Sequence, residues 1–276
     1  PSISPVLMDH SLHPNIEVMT NTEVVEVNGL PCEFTVRVRH KPRYVDIYKC
    51  TSCGNCEKVC PIDLPDKFQM GLVTHKAVYK IAPRAIPNAY LVEKGDCCLD
   101  CLKCEKACPT GAINLNEKEW FEEFQSGAVI LAVGYKLFNP RGCEEYGYGR
   151  YPNVVTSLEY ERLASRSGPT EGLVQRPSDG KLPQKIAWLQ CIGSRDQDHT
   201  YCSSICCMYA TKEAVLAKQR IPGVECQVFM MDERAFSKEY NAYYERAREL
   251  FEVKYTRCRI SALKEDPATK DLLIYY

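Results

Sequence analysis

The chain has 276 residues, with 35 Lys and Arg against 36 Asp and Glu for a formal net charge of -1. That balance excludes a nucleic-acid binder held by bulk positive charge and an acidic disordered tail. Hydrophobic residues at 45% and charged residues at 26% describe an ordinary globular protein, but 17 cysteines are an odd and excessive number, which points to a metalloprotein rather than a disulfide mini-scaffold.

The first forty residues read as β structure. Ile16 to Met19 and Glu23 to Val27 are short apolar-alternating runs, and Asn28-Gly29 is a hairpin turn signal. Phe34, Val36 and Val38 then alternate with Thr35, Arg37 and Arg39 as a half-buried strand. From Lys41 to Asn116 the composition changes to two dense cysteine groups. Trp120 to Phe124 follows and leads into Ala128 to Val133, expected to be a buried strand ending in the Gly134-Tyr135 turn. A small-residue turn of this kind lets a ligand approach the backbone. Domains are therefore expected at 1–40 (a β-meander), 41–116 (an inserted module) and 117–276 (the continuing α/β domain).

Beyond Pro140, a helix is predicted from Ser157 to Ser165, opened by a Thr156–Glu159 capping box. After a Gly-, Pro- and Ser-rich linker from Gly168 to Pro183 come a strand at Lys185–Gln190, a helix at Tyr209–Arg220 and a strand at Val224–Met231. This βαβ unit favours a parallel sheet with helices packed on it. A further helix, Lys238 to Phe251, and a last pair of strands complete the chain. Its longest apolar run, Ala128 to Val133, is far short of the roughly 20 residues that span a bilayer. No signal peptide is visible. Pro1 opens without a Met and Leu272–Tyr276 is a strand-like run, so a longer parent polypeptide is expected.

The cysteine spacing carries the chemistry. Cys50, Cys53, Cys56 and Cys60 precede Pro61, and Cys98, Cys101, Cys104 and Cys108 precede Pro109 with identical spacing. Three thiolates at two-residue intervals grip three corners of a 4Fe-4S cube, and the fourth reaches the other cube in two-cluster ferredoxins. The expected sets are Cys50, Cys53, Cys56 with Cys108, and Cys98, Cys101, Cys104 with Cys60. Structural zinc also uses paired cysteines, but usually two pairs across a longer loop. Cys97 is out of register and is read as a non-ligand. The segment from Ile62 to Asp96 is longer than is usual between such motifs.

A third group, Cys191, Cys202, Cys206 and Cys207, lies between a strand and a helix. A dinucleotide-binding loop there would be glycine-rich. Only Gly193 is available, which argues against nicotinamide. Spacing alone leaves two readings open, a third 4Fe-4S cluster and ordinary buried or redox-active thiols. Arg195 and Lys212 flank the group; such residues offset cluster charge or are plain surface charges. His10, His13, His40, His75 and His199 show no ligand spacing, and Cys32, Cys143, Cys226 and Cys258 stand alone, with burial the default.

Together these stretches resemble the A-type subunit family of heterodisulfide reductase across nearly the whole chain. The resemblance is carried by the inserted ferredoxin module, Ala132-Val133-Gly134-Tyr135, Tyr146 to Val154, Gln190 to Asp196 and Tyr201 to Lys212. It implies an α/β, thioredoxin-reductase-like FAD/NAD(P)-binding-type domain, partial here, with an inserted α+β two-cluster 4Fe-4S ferredoxin-like domain. It further implies a third cluster on the Cys191–Cys207 loop, and flavin contacts at Ala132, Val133, Gly134 and Tyr135. The family's FAD-binding glycine motif is missing from these residues. The function implied is an iron–sulfur flavoprotein subunit that relays electrons between FAD and its clusters, in bifurcation or its reverse. Its partners would be other redox subunits, with ferredoxin, hydrogenase or formate dehydrogenase as donors, and homodimerisation. The alternative from another class is a non-enzymatic polyferredoxin-like module docking to a separate flavoenzyme. Many reduced thiols imply a cytoplasmic location, that of an anaerobe.

Overall fold

The computed structural model describes residues 3–83, 85–95 and 101–276. It divides into two compact units, Pro1–Gly134 and Tyr135–Tyr276.

The first unit opens not with β structure but with helix α1, Ile3–Leu12. Pro5 falls in its first turn, where no amide donor is lost, and no later breaker interrupts it. Ile16 to Met19, expected as a strand, is irregular. Strand β1 (Thr22–Leu30) pairs antiparallel with β2 (Glu33–His40). The hairpin turns at Pro31-Cys32 rather than at Asn28-Gly29, which sit inside the ladder opposite Thr35 and Phe34. Cys32 takes the left-handed conformation the turn requires (φ 76°), and its N–H donates to the Gly127 carbonyl at 2.9 Å. Gly29 serves a different need. Its φ is +105°, and a Cβ there would lie 2.2 Å from the Glu33 carbonyl oxygen.

Between β2 and the third strand of this sheet the chain makes a cysteine-rich excursion of small elements. Helix α2 is Asn55–Lys58, the short strands are β3 (Asp63–Pro65), β4 (Thr74–Lys76), β5 (Val78–Tyr79) and β6 (Leu91–Val92), and helix α3 is Lys103–Ala107. Strands β3 and β4 pair with each other, as do β5 and β6. The excursion has its own core, with Val45, Cys56, Cys60, Ala77, Val78, Tyr90, Val92, Cys104 and Ile113 all buried. Strand β7 (Trp120–Ser126) then returns beside β2, antiparallel, and completes the order β1-β2-β7.

That return overturns the expected buried strand at Ala128 to Val133. The segment is irregular, with Ile130 at 92% and Val133 at 87% exposure. A continuous apolar run becomes a buried strand only where neighbours flank it and layers cover both faces. Here the preceding residues, β7, take the place beside β2, and among the described residues no strand pairs with 128–133.

The second unit is α/β. Two 3-10 turns, Pro140–Gly142 and Glu144–Tyr146, lead to helix α4, Ser157–Ala164. The predicted capping box is formed: the Thr156 hydroxyl accepts from the Glu159 N–H, and Glu159 accepts from the Thr156 N–H. Thr156→Ala is expected to cost about 1 kcal/mol, read as a lower denaturant midpoint at unchanged slope. Strand β8 (Lys185–Leu189), helix α5 (Cys206–Arg220) and strand β9 (Glu225–Met230) form the expected parallel βαβ unit. Helix α6 (Tyr240–Glu249) leads to β10 (Lys254–Arg257), which extends the sheet in the order β10-β9-β8. Ala210, Ala214 and Ala217 give α5 a small-residue face at helical spacing, and Val224, Val228 and Val253 meet it in one core. An antiparallel pair, β11 (Ala262–Glu265) and β12 (Leu272–Tyr275), closes the chain.

Candidate metal centres

The ends of the two ferredoxin-type motifs are brought together by the backbone. Val45 and Ile113 form an antiparallel bridge. The Asp46 N–H donates to the Ala112 carbonyl at 2.8 Å and the Asn114 N–H to the Tyr44 carbonyl at 3.0 Å. This contact lays the entrance of the first motif against the exit of the second. Cys108 therefore faces the loop carrying Cys50, Cys53 and Cys56, and these four thiols line one cavity with Gly54, Tyr90, Thr110 and Ala112. Ser52 (φ 58°) and Gly54 (φ 80°) turn the loop through left-handed conformations on either side of Cys53.

The thiols of this cavity differ. Burial pushes the Cys56 thiol up to about 11. Burial also acts upward on Cys108, but the Thr110 hydroxyl and the N–H groups of Ala112, Thr110 and Ile113 outweigh it and hold that thiol below its ordinary value. The Ala112 N–H lies 3.2 Å from the Cys108 sulfur. Amide donors on cluster sulfurs are a known lever on cluster potential. Four cysteines lining one cavity are the donor set that suits a four-iron cube.

The second set is described in part. Cys98 lies outside the described residues, as does Cys97. Cys60 and Cys101 lie within electrostatic reach of Cys104, and burial, joined by these neighbours, pushes the Cys104 thiol up. Helices α2 and α3, carrying Cys56 and Cys104, pack together.

The third group sits where β8 ends and α5 begins. Burial raises the Cys191 thiol, which accepts from the Met231 N–H and the Arg195 guanidinium. Cys206 and Cys207 open α5. The Cys207 S–H donates to Cys206, which lowers Cys206 and raises Cys207, and Ser203 supports Cys206 at 3.6 Å. Cys191 is within electrostatic reach of both. Cys202 is held separately, its sulfur accepting from the Ser204 N–H at 3.4 Å. Cys191 (φ 63°), Arg195 (φ 59°) and Ser204 (φ 63°) are all left-handed non-glycine residues, a clustering of strain characteristic of functional loops. Gly193 (φ +67°) is required here, since a Cβ would sit 2.2 Å from the Phe138 ring. Arg195 is tied to Asp232 in a two-pronged ion pair, and Lys212 pairs with Glu161.

Ala132, Val133, Gly134 and Tyr135 are the expected flavin contacts. They lie on an irregular, exposed segment, and only the open left-handed Gly134, with nothing within 4 Å of a Cβ position, is suited to ligand approach. Sequence reasoning missed three other features. Tyr90 on the first cavity wall and Glu213 inside the second unit carried no motif, and the Lys80–Asn88–Ser52 hydrogen-bond cluster joins residues distant in sequence.

A 4Fe-4S dicluster domain family matches residues 49–113. Among curated proteins, an A-type iron-sulfur subunit of the CoB–CoM heterodisulfide reductase of Methanopyrus kandleri is 46% identical over 274 residues, 99% of this chain and 42% of the relative. The A-type subunit of the H(2):CoB-CoM heterodisulfide,ferredoxin reductase of Methanothermobacter marburgensis is 41% identical over 267 residues, 96% of this chain and 40% of the relative. The A-type subunit of the ferredoxin/F(420)H(2)-dependent CoB-CoM heterodisulfide reductase of Methanosarcina acetivorans is 37% identical over 251 residues, 90% of this chain and 32% of the relative. The chain thus spans less than half the length of the curated relatives it matches. With two ferredoxin motifs inside a dicluster domain and relatives aligned along nearly all of its residues, the chain belongs to the A-type subunit family of heterodisulfide reductase.

Proposed function

We propose that these residues form the electron-relay part of an oxidoreductase subunit within a heterodisulfide-reductase-type complex. Two 4Fe-4S clusters sit in the ferredoxin-like module, held by Cys50, Cys53, Cys56 with Cys108 and by Cys98, Cys101, Cys104 with Cys60. A third is held by Cys191, Cys202, Cys206 and Cys207. The clusters supply single-electron storage and transfer. The residues around them shield the sulfurs from water, donate amide hydrogen bonds and fix the ligand loops. The observation that carries the reading is the cavity shared by Cys50, Cys53, Cys56 and Cys108, a crossed ligand set that a single-motif site would not need.

Partners are proposed from the relatives' names: further heterodisulfide reductase subunits and a ferredoxin-linked electron supply. No helix among the described residues is long and apolar enough to cross a membrane. FAD, with contacts at Ala132, Val133, Gly134 and Tyr135, and electron bifurcation with it, would add two-electron chemistry to this relay.

The crossed ligand sets make a direct test. A Cys50→Ser/Cys108→Ser double variant is expected to lose one cluster, about 4 iron, because both ligands serve the same cube. Cys60→Ser/Cys108→Ser is expected to lose two, about 8 iron. Iron and acid-labile sulfide analysis of anaerobically prepared protein reads both. Loss of about 8 iron in both variants rejects the crossed sets, because uncrossed motifs would place each pair on different cubes, and zinc in place of iron rejects the redox reading altogether.

A further inference from the structure

The long segment between the two cysteine motifs is not a passive spacer. It folds back through β3 to β6, and its Tyr90, only 8% exposed, is buried with Cys56, Cys60, Val78 and Val92. The Tyr90 ring lines the cavity of Cys50, Cys53, Cys56 and Cys108. Its hydroxyl lies so close to the ligand loop that a Cβ on Gly54 would be 3.2 Å from it. That hydroxyl donates to Glu57 Oε2 at 2.8 Å. A second clamp holds the other side of the loop. Lys80 Nζ donates to Asn88 Oδ1 at 2.8 Å and to the Ser52 hydroxyl at 3.3 Å, and Ser52 donates in turn to Asn88.

The direction of the tyrosine hydrogen bond matters. A hydroxyl on a cavity wall has one proton to give. Given to a cluster sulfur, it would stabilise the reduced, more negative cluster and raise the potential. Tyr90 instead gives it to a carboxylate, which places a half-buried negative charge one hydroxyl away from the sulfurs. Charge at such a site is screened less than at an open surface and disfavours the added electron.

From this geometry we infer that the Glu57 carboxylate, fixed by Tyr90, lowers the reduction potential of the cluster held by Cys50, Cys53, Cys56 and Cys108, making the two clusters of the module unequal. The inference rests on the reading that these four thiolates hold a cluster. The step concerned is a one-electron reduction of the cluster by an external low-potential donor, and Glu57 and Tyr90 act as tuning residues that form no bond with it.

The test is a mediated potentiometric titration, followed by electron paramagnetic resonance, on the intact holoprotein and on Glu57→Gln and Tyr90→Phe variants. Glu57→Gln is expected to move one midpoint positive by about a tenfold change in the oxidised-to-reduced ratio, about 59 mV for one electron, and to leave the other in place. Tyr90→Phe strips the carboxylate of its donor and is expected to move the same midpoint in the opposite direction. Opposite signs are the mark of electrostatic tuning. Shifts of the same sign in both variants indicate simple loosening and water entry and overturn the inference, as does no shift with iron content retained. Wild-type protein without a reducible cluster removes the underlying ligand assignment instead, and the inference falls with it.

Discussion

Replacing Cys206 and Cys207 together by Ser is expected to remove about 4 iron and 4 sulfide per chain, while the two ferredoxin-type clusters remain. For protein with these residues alone, that is a fall from about 12 iron to about 8. The reason lies in the loop itself. Cys206 and Cys207 begin a 15-residue helix, and a neighbouring sulfur, Cys191, projects from a left-handed residue at the end of β8. As thiols, the vicinal pair is joined by a hydrogen bond that draws Cys206 down and pushes Cys207 up. A cluster at this loop would be held by both as thiolates. The Met231 N–H and the Arg195 guanidinium, both directed at Cys191, would donate hydrogen bonds to its sulfur and moderate cluster charge. Cys202 accepts from the Ser204 N–H and is the remaining member of the set, so Cys202→Ser tests the fourth ligand separately. Unchanged iron in the Cys206/Cys207 double variant returns the loop to ordinary thiols.

What the sequence revealed follows from where its information is local. The cysteine motifs specify their chemistry by spacing within a few residues of the chain, and the crossed pairing of Cys108 with the first motif follows from that spacing rule. The Thr156 cap and the parallel β8-α5-β9 unit were legible for the same reason, because capping geometry and hydrophobic period are written at short range. Ala128 to Val133 was not, since an apolar run records only that burial is favourable and not which strand takes the neighbouring edge. The hairpin turn moved from Asn28-Gly29 to Pro31-Cys32 because pairing of β2 with both β1 and β7 sets the register across the sheet, and Gly29 serves close approach inside the ladder. Tyr90 and Glu57 meet across more than thirty residues, at a distance no local pattern encodes.

Glu213 gives the second large effect, a fall in stability as pH rises through the neutral range. Its side chain is 1% exposed inside the second unit. One carboxyl oxygen accepts from Trp188 Nε1 at 2.7 Å, and Oε1 has no partner among the described residues. Burial pushes its pKa up to about 8, with Glu161 adding to the rise while the Trp188 bond and Lys212 oppose it. Tyr160 on α4, Tyr209 on α5 and Tyr135 also feel its charge, and all three stay neutral in this range. Between the ordinary carboxyl value of 4.5 and about 8, the unfolded chain has released this proton while the folded chain keeps it. Each pH unit in that window therefore disfavours folding by about 1.4 kcal/mol. The accumulated loss is on the order of 4 kcal/mol by pH 8. Glu213→Gln keeps an oxygen for Trp188 and cannot ionise. The variant is expected to match wild type near pH 5 and to be more stable by several kcal/mol near pH 8, read as the difference between their denaturant midpoints across pH on anaerobic holoprotein. A constant difference from pH 5 to 8 shows that Glu213 does not titrate in this window. Glu213→Leu separates the hydrogen bond from the proton, because it strands the Trp188 N–H in the core and is expected to cost about 1–3 kcal/mol at every pH relative to Glu213→Gln.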